Sequence, residues 1–114
     1  MPLNFHGKNV SILESYSGED FSHRNLDMLS AFGITIENVS FKGSSLRHAG
    51  FTLSTLINVD FTDADLRDAW LDDTELDGCI FTNADLRGAK LEMSNITPEQ
   101  LQSARTDETT RLHC

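Results

Sequence analysis

The stretch FTDADLRDAWL, residues 61–71, returns as FTNADLRGAKL at residues 81–91. Both are built on a step of five, and the step extends well beyond them. Every fifth residue from Phe21 is apolar: Phe21, Leu26, Ala31, Ile36, Phe41, Leu46, Phe51, Leu56, Phe61, Leu66, Leu71, Leu76, Phe81, Leu86, Leu91 and Ile96. Fifteen of these sixteen are large. Two places before them, from Val39 to Ser94, every residue is small or β-branched: Val39, Ser44, Ala49, Ser54, Val59, Ala64, Ala69, Thr74, Cys79, Ala84, Ala89 and Ser94. A period of five fits neither the 3.6 of an α-helix nor the 2.0 of a flat strand.

A second period of twenty lies inside the first. Phe21, Phe41, Phe61 and Phe81 form one line, and Leu26, Leu46, Leu66 and Leu86 form the next. The other two lines are Ala31, Phe51, Leu71, Leu91 and Ile36, Leu56, Leu76, Ile96. Like residues twenty apart are expected where one coil of chain stacks on the next at about 4.8 Å, the sheet spacing. Identical shapes at that distance fill space without voids.

The two quoted segments match an A-D/N-L-x-x consensus, and through it the chain resembles the pentapeptide-repeat family over about residues 21–97. The resemblance implies an all-β protein, a right-handed quadrilateral β-helix of about four coils. In that fold the central Leu or Phe and the small residue two before it point inward, the same pair that the periodicity selects.

Three segments are expected: an irregular cap over 1–20, the solenoid over 21–97, and a capping helix with a tail over 98–114. Phe5 and Val10 stand five apart but out of register with Phe21. Glu19 and Arg24 occupy inward positions for which they are too large and charged, so the first coil is expected to be distorted or open there. Ala31 followed by Phe32 suggests a bulge in that coil. At the other end, Thr97-Pro98-Glu99-Gln100 reads as a helix start, with Thr97 as N-cap, Pro98 in the first turn and Gln100 closing a capping box. The helix, over about 98–104, would set Leu101 on the exposed apolar end of the last coil. Solenoids need such caps to avoid stacking end to end. The closing TPEQLQSARTDETTRL also resembles the tail of many bacterial family members.

At 114 residues and 39% apolar content the chain is expected to form one domain. It shows neither a signal-peptide pattern nor an apolar run of the roughly 18–20 residues that a membrane helix needs. A soluble, cytoplasmic protein is the reading. Nine Lys and Arg against eighteen Asp and Glu leave a net charge of −9. That argues against direct binding to nucleic acid or to a membrane surface. Cys79 and Cys114 suit neither a disulfide framework nor a zinc site. His6, His23, His48 and His113 pair with no nucleophile or carboxylate at a productive spacing, and no glycine-rich phosphate loop occurs. No catalytic residue, metal site or cofactor is expected.

Eight of the acids lie between Asp60 and Asp77: Asp60, Asp63, Asp65, Asp68, Asp72, Asp73, Glu75 and Asp77. Mapped on the coil they make a belt across the axis. Turn formation and solvation account for most of it. Arg47, Arg67 and Arg87 each follow a core leucine of one line, so they should stack, with Asp65 and Asp85 offsetting their repulsion. On the next face, Phe32, Leu53, Trp70 and Met93 take outward positions, and Ile57 stands just past the corner. Trp70 has Gly50 and Lys90 for stack neighbours, neither suited to cover an indole.

The function expected is therefore a non-enzymatic protein-protein interaction module: a scaffold, an inhibitor or an immunity-type binding protein. Trp70, Leu53, Phe32, Met93 and Ile57 would contact a partner or a second copy in a homodimer. Arg47, Arg67, Arg87, Asp72, Asp73 and Asp77 form the charged surface. The alternative is taken from the resemblance: some family members mimic DNA and protect DNA gyrase or topoisomerase from inhibitors. Mimicry needs charge along the axis, whereas this belt crosses it, and the protective members are longer chains that dimerise.

Overall fold

The computed structural model describes residues 15–112 and two short backbone stretches before them, 4–5 and 8–9. The elements are β1 (Asn4–Phe5), β2 (Lys8–Asn9), β3 (Ser15–Ser17), β4 (Thr35–Glu37), β5 (Thr55–Ile57), β6 (Glu75–Asp77) and α1 (Pro98–Ser103). β1 and β2 pair antiparallel. Val10 and Cys114, which figure in the sequence reading, lie outside the described residues.

β3, β4, β5 and β6 form a parallel sheet in that order, each strand twenty residues after its neighbour: Tyr16 faces Ile36, Ile36 faces Leu56, and Leu56 faces Leu76. Three further ladders of single bridges repeat the offset. One runs Asp20, Ser40, Asp60, Ile80; the second Asn25, Ser45, Asp65, Asp85; the third Ser30, Gly50, Trp70, Lys90. The chain thus returns above itself every twenty residues on four sides. β3 already belongs to the ladder, within the segment read as a cap. Among the described residues the three-residue strands all lie on this side, and in β4 and β5 Thr35, Ile36, Thr55 and Ile57 bring β-branched side chains that prefer extended backbone.

The five-residue step follows from where the backbone hydrogen bonds go. Around Phe41, the Phe41 N–H donates to Asp60 C=O at 2.8 Å and the Gly43 N–H to Thr62 C=O at 2.8 Å, both one coil on. The Ser44 N–H turns back to Phe41 C=O at 3.0 Å and closes a tight turn. The third residue of each such turn is left-handed. From Gly18 to Met93, all sixteen positions at this step have φ between 52° and 77°. Glycine, Asn and Asp adopt that region most readily and fill most of the column.

On two of the faces the N–H just after the core residue is taken at several coils by a polar side chain just before it. Asp60 accepts from the Thr62 N–H at 2.9 Å, Asp65 from Arg67 and Asp85 from Arg87, both at 3.2 Å. The Asp of the repeat is thus a turn-former. The small inward residues satisfy themselves too: the Ser44, Ser54 and Thr74 hydroxyls donate to Phe21, Ala31 and Phe51 C=O, each twenty-three residues back, at 2.6, 2.5 and 2.8 Å. Cys79 makes the equivalent contact to Leu56 C=O. Burial pushes its thiol up to about 12, so it stays protonated and inert at neutral pH.

The core is one continuous cluster from Leu26 to Leu91. Its spine is the phenylalanine line: Phe21, Phe41, Phe61 and Phe81 stack with centroids 5.6, 5.5 and 5.1 Å apart and planes within 18°. Phe51 meets Phe41 and Phe61 edge-on at 6.0 Å.

The first coil corrects two expectations. No bulge occurs at Ala31: the ladder keeps register through Ser30 and Gly50, Ala31 is buried, and Gly33 takes the usual left-handed corner. Arg24 leaves its inward position without opening the ladder; its guanidinium lies 5.8 Å over the Phe21 ring and its N–H is held by the Ser44 hydroxyl. Glu19 stays half-buried.

α1 starts as the sequence predicts. The Thr97 hydroxyl accepts from the Gln100 N–H at 3.1 Å, and the Gln100 side chain accepts from the Thr97 N–H at 2.8 Å. Gln100 also donates through Nε2 to Leu76 and Cys79 C=O, tying the cap to the last coil, and Leu101 packs on the core. The tail then does more than trail away. Arg105 bridges to Asp85 and Arg111 to Lys90, so residues after α1 resume two ladders over the last coil.

Candidate partner-binding face

Two adjacent faces differ sharply in how their outward residues are occupied. On the first, the arginine column is engaged with carboxylates. Arg47 donates to Asp27 of the coil before, Nη2 to Oδ2 at 2.7 Å. Arg67 and Arg87 donate instead to Asp65 and Asp85 two residues back, each through Nε and Nη2 at 2.7–2.9 Å. These forked pairs satisfy the guanidiniums internally. The Arg87 hydrogen bond, partly opposed by burial, holds Asp85 below the usual carboxylate range. At Asp27 burial pushes upward, but hydrogen bonds from Arg47 and Ser45 outweigh it and the carboxyl again titrates low.

A carboxyl lowered by folding stabilises the fold above its unfolded pKa, and the benefit is lost as pH falls through the folded value. Melting temperature should therefore be flat from pH 7 to about 5 and drop below about 4. Asp85→Asn should shrink that drop; thermal unfolding monitored by circular dichroism across the pH range checks it.

The second face is set by the ladder Ser30, Gly50, Trp70, Lys90 and the left-handed corners on its two edges. Of the six exposed large hydrophobic residues among those described, four belong to it: Met28 and Leu53, 71% and 68% exposed, Met93 at 60% and Trp70 at 45%. Ile80 and Leu112 lie elsewhere. Leu53, Met93 and Met28 all sit at left-handed corners, with φ of 66°, 63° and 66°. Leu53 and Met93 share one edge of the face; Met28 is on the other.

Phe32 is half-buried, its ring folded down on Gly50, where an added Cβ would come within 2.6 Å of the ring edge. A glycine at 50 is what lets the ring lie flat there. Ile57 is half-buried in β5 on the neighbouring face. From the sequence, the indole of Trp70 is expected to lie uncovered by its stack neighbours Gly50 and Lys90. In the structure the Lys90 ammonium lies over its ring, 4.4 Å from the centroid, because a flexible lysine one coil on can reach back to the π face. Met28 was missed. The signal was present: it stands in the step-five column that glycine, Asn and Asp otherwise favour.

Asp72 accepts from the Thr52 hydroxyl at 2.7 Å, and Asp77 from the Asn95 side-chain amide at 2.7 Å. Among the described residues neither Asp72 nor Asp73 forms an ion pair. The remaining pairs near this face are Glu92 with Arg111 at 2.6 Å and Asp68 with His48 at 3.9 Å. No group of His, Cys, Asp and Glu among the described residues converges on a metal position. No described helix is long and apolar enough to cross a membrane.

Parallel ladders recurring every twenty residues, turned at left-handed corners, define a β-helix. The sequence matches the family model for pentapeptide repeats in eight copies over residues 36–69 and 60–97, and the chain belongs to that family, whose fold is a right-handed β-helix. Solved structures it is similar to include the pentapeptide repeat protein Rfr23 from the cyanobacterium Cyanothece 51142, at 19% identity over 86% of this chain and 87% of that one, TM-score 0.47. QnrB1, a plasmid-mediated fluoroquinolone resistance protein, matches at 21% identity over 70% of this chain and 39% of its own, TM-score 0.51. A pentapeptide repeat protein of the Arabidopsis thaliana thylakoid lumen matches at 31% identity over 83% of this chain and 59% of its own, TM-score 0.44. No curated protein matches the sequence.

Proposed function

We propose that the chain is a non-enzymatic protein-interaction module, a closed four-sided solenoid of about four coils that meets its partner through the face bearing Trp70. One observation carries this: Met28, Leu53, Trp70 and Met93, each 45–71% exposed, gather on one face and its edges. Isolated exposed apolar residues are ordinary, but a group on one flat surface marks a contact site. The adjacent arginine column is the weaker candidate, since a partner would have to break the pairs with Asp27, Asp65 and Asp85. The test is capture of the partner on immobilised protein, its identification, and measurement of its affinity for the wild type and for Trp70→Ala.

A second reading, protection of DNA gyrase, draws on the net charge of −9 and on the likeness in fold to QnrB1. Against it, Asp60 and Asp65 of the acidic belt act as turn-formers, and Asp65 is neutralised by Arg67. We expect no protection of gyrase supercoiling from a fluoroquinolone. Protection at micromolar protein, abolished by replacing Asp72, Asp73 and Asp77 with Asn, would put the gyrase reading first.

A further inference from the structure

The repeat supplies its own reference for what the fold needs at each position. At the left-handed corners, eleven of sixteen residues are Gly, Asn or Asp. These types accept positive φ readily, whereas a long aliphatic side chain there is strained. Leu53 and Met93 adopt it with φ of 66° and 63° while remaining 68% and 60% exposed. They accept backbone strain and gain little burial. Folding alone gives no reason for either, and strain without compensation in the fold points to a contact made with something else.

The charges around them say what that is. Asp72 and Asp73 follow Trp70 closely in the chain, and neither forms an ion pair among the described residues. Two cations of the same ladder are already placed, Lys90 on the indole and Arg111 on Glu92. The whole chain carries −9. A second copy would bring the same carboxylates against one another, and an anionic lipid surface would be repelled. Resting on the reading of the Trp70 face given above, we propose that its occupant is a basic segment of a protein partner in which Lys or Arg alternates with apolar residues. The apolar side chains lie against Leu53, Trp70 and Met93, and the cations meet Asp72 and Asp73. Leu53 to Met93 spans two coil steps, about 10 Å, which an extended strand crosses in roughly three residues.

Trp70 is the sole tryptophan, so its fluorescence reports occupancy without a label. Three short synthetic peptides serve as probes: alternating Lys and Leu, alternating Glu and Leu, and alternating Lys and Ser. The Lys/Leu peptide should bind, shift the Trp70 emission and weaken as salt rises. Leu53→Asn and Met93→Asn should each weaken it at least about fivefold. The same two variants should melt higher, by about 2–6 °C, because Asn tolerates the corner that strains the aliphatic residue.

Binding lost while stability rises is the signature of a contact residue, whereas a structural role would lower stability and leave binding unchanged. Equal binding of the Glu/Leu peptide, equal binding of the Lys/Ser peptide, absence of binding by all three, or Asn variants that melt lower and bind unchanged would each overturn the proposal. If one of these occurs while the captured partner still depends on Trp70, the module reading stands and the basic segment alone is refuted.

Discussion

Phe61→Ala should cost about 3–5 kcal/mol, the effect of emptying a large buried aromatic site. Phe61 is fully buried and touches three rings: Phe41 and Phe81 stacked at 5.5 and 5.1 Å, and Phe51 edge-on at 6.0 Å. Its removal leaves a gap in the middle of the spine. The coils above and below cannot collapse into that gap, because ladder bonds such as Phe41 N–H to Asp60 C=O and Phe61 N–H to Ile80 C=O hold their spacing. A loss of that size is a large part of the roughly 5–15 kcal/mol that holds a domain together. Thr62→Ala, one residue on and outward, gives up a hydroxyl bond to Asp60 at 2.6 Å and should cost about 1 kcal/mol or less. Chemical denaturation of the two variants checks the contrast, and equal midpoints would show the inward register to be wrong.

Trp70→Ala should weaken partner binding by about 2 kcal/mol or more, roughly thirtyfold, with little change in melting temperature. The indole is 45% exposed on the flat side of the ladder, so truncation opens no core cavity. Its internal contact is the Lys90 ammonium over the ring, a partly solvated interaction of about 0.5–1 kcal/mol. A rigid aromatic of that area, on the same face as Leu53 and Met93, offers a partner far more than it offers the fold. Calorimetric titration with the captured partner and a melting curve of the isolated variant separate the two effects. A large fall in melting temperature with unchanged affinity would make Trp70 structural and remove the anchor from the proposed face.

The interior was legible in the sequence to the level of single residues. The step of five picked out the core from Phe41 to Leu91, and the step of twenty picked out which residues stack, because a side chain enclosed between two identical coils has one direction and one volume available to it. The left-handed corners were not read from the sequence, although backbone sterics restrict that column to few residue types, against which Leu53, Met93 and Met28 stand out once the structure places them. The helix start at Thr97 could be read because its capping partners lie within four residues. The outward side chains obeyed no such rule. Arg47 turns to Asp27 a coil away while Arg67 and Arg87 turn to Asp65 and Asp85 beside them, Phe32 folds down on Gly50, Lys90 reaches back over Trp70, and the tail resumes the ladder at Arg105 after a helix that does not repeat. An outward side chain has several neighbours within reach, on its own coil and on those above and below, and small differences in energy choose among them. Periodicity therefore determined the solenoid and its core, while the tertiary arrangement of twenty-residue neighbours decided which surface charges cancel, which aromatic rings lie flat, and which apolar side chains are left exposed on the Trp70 face.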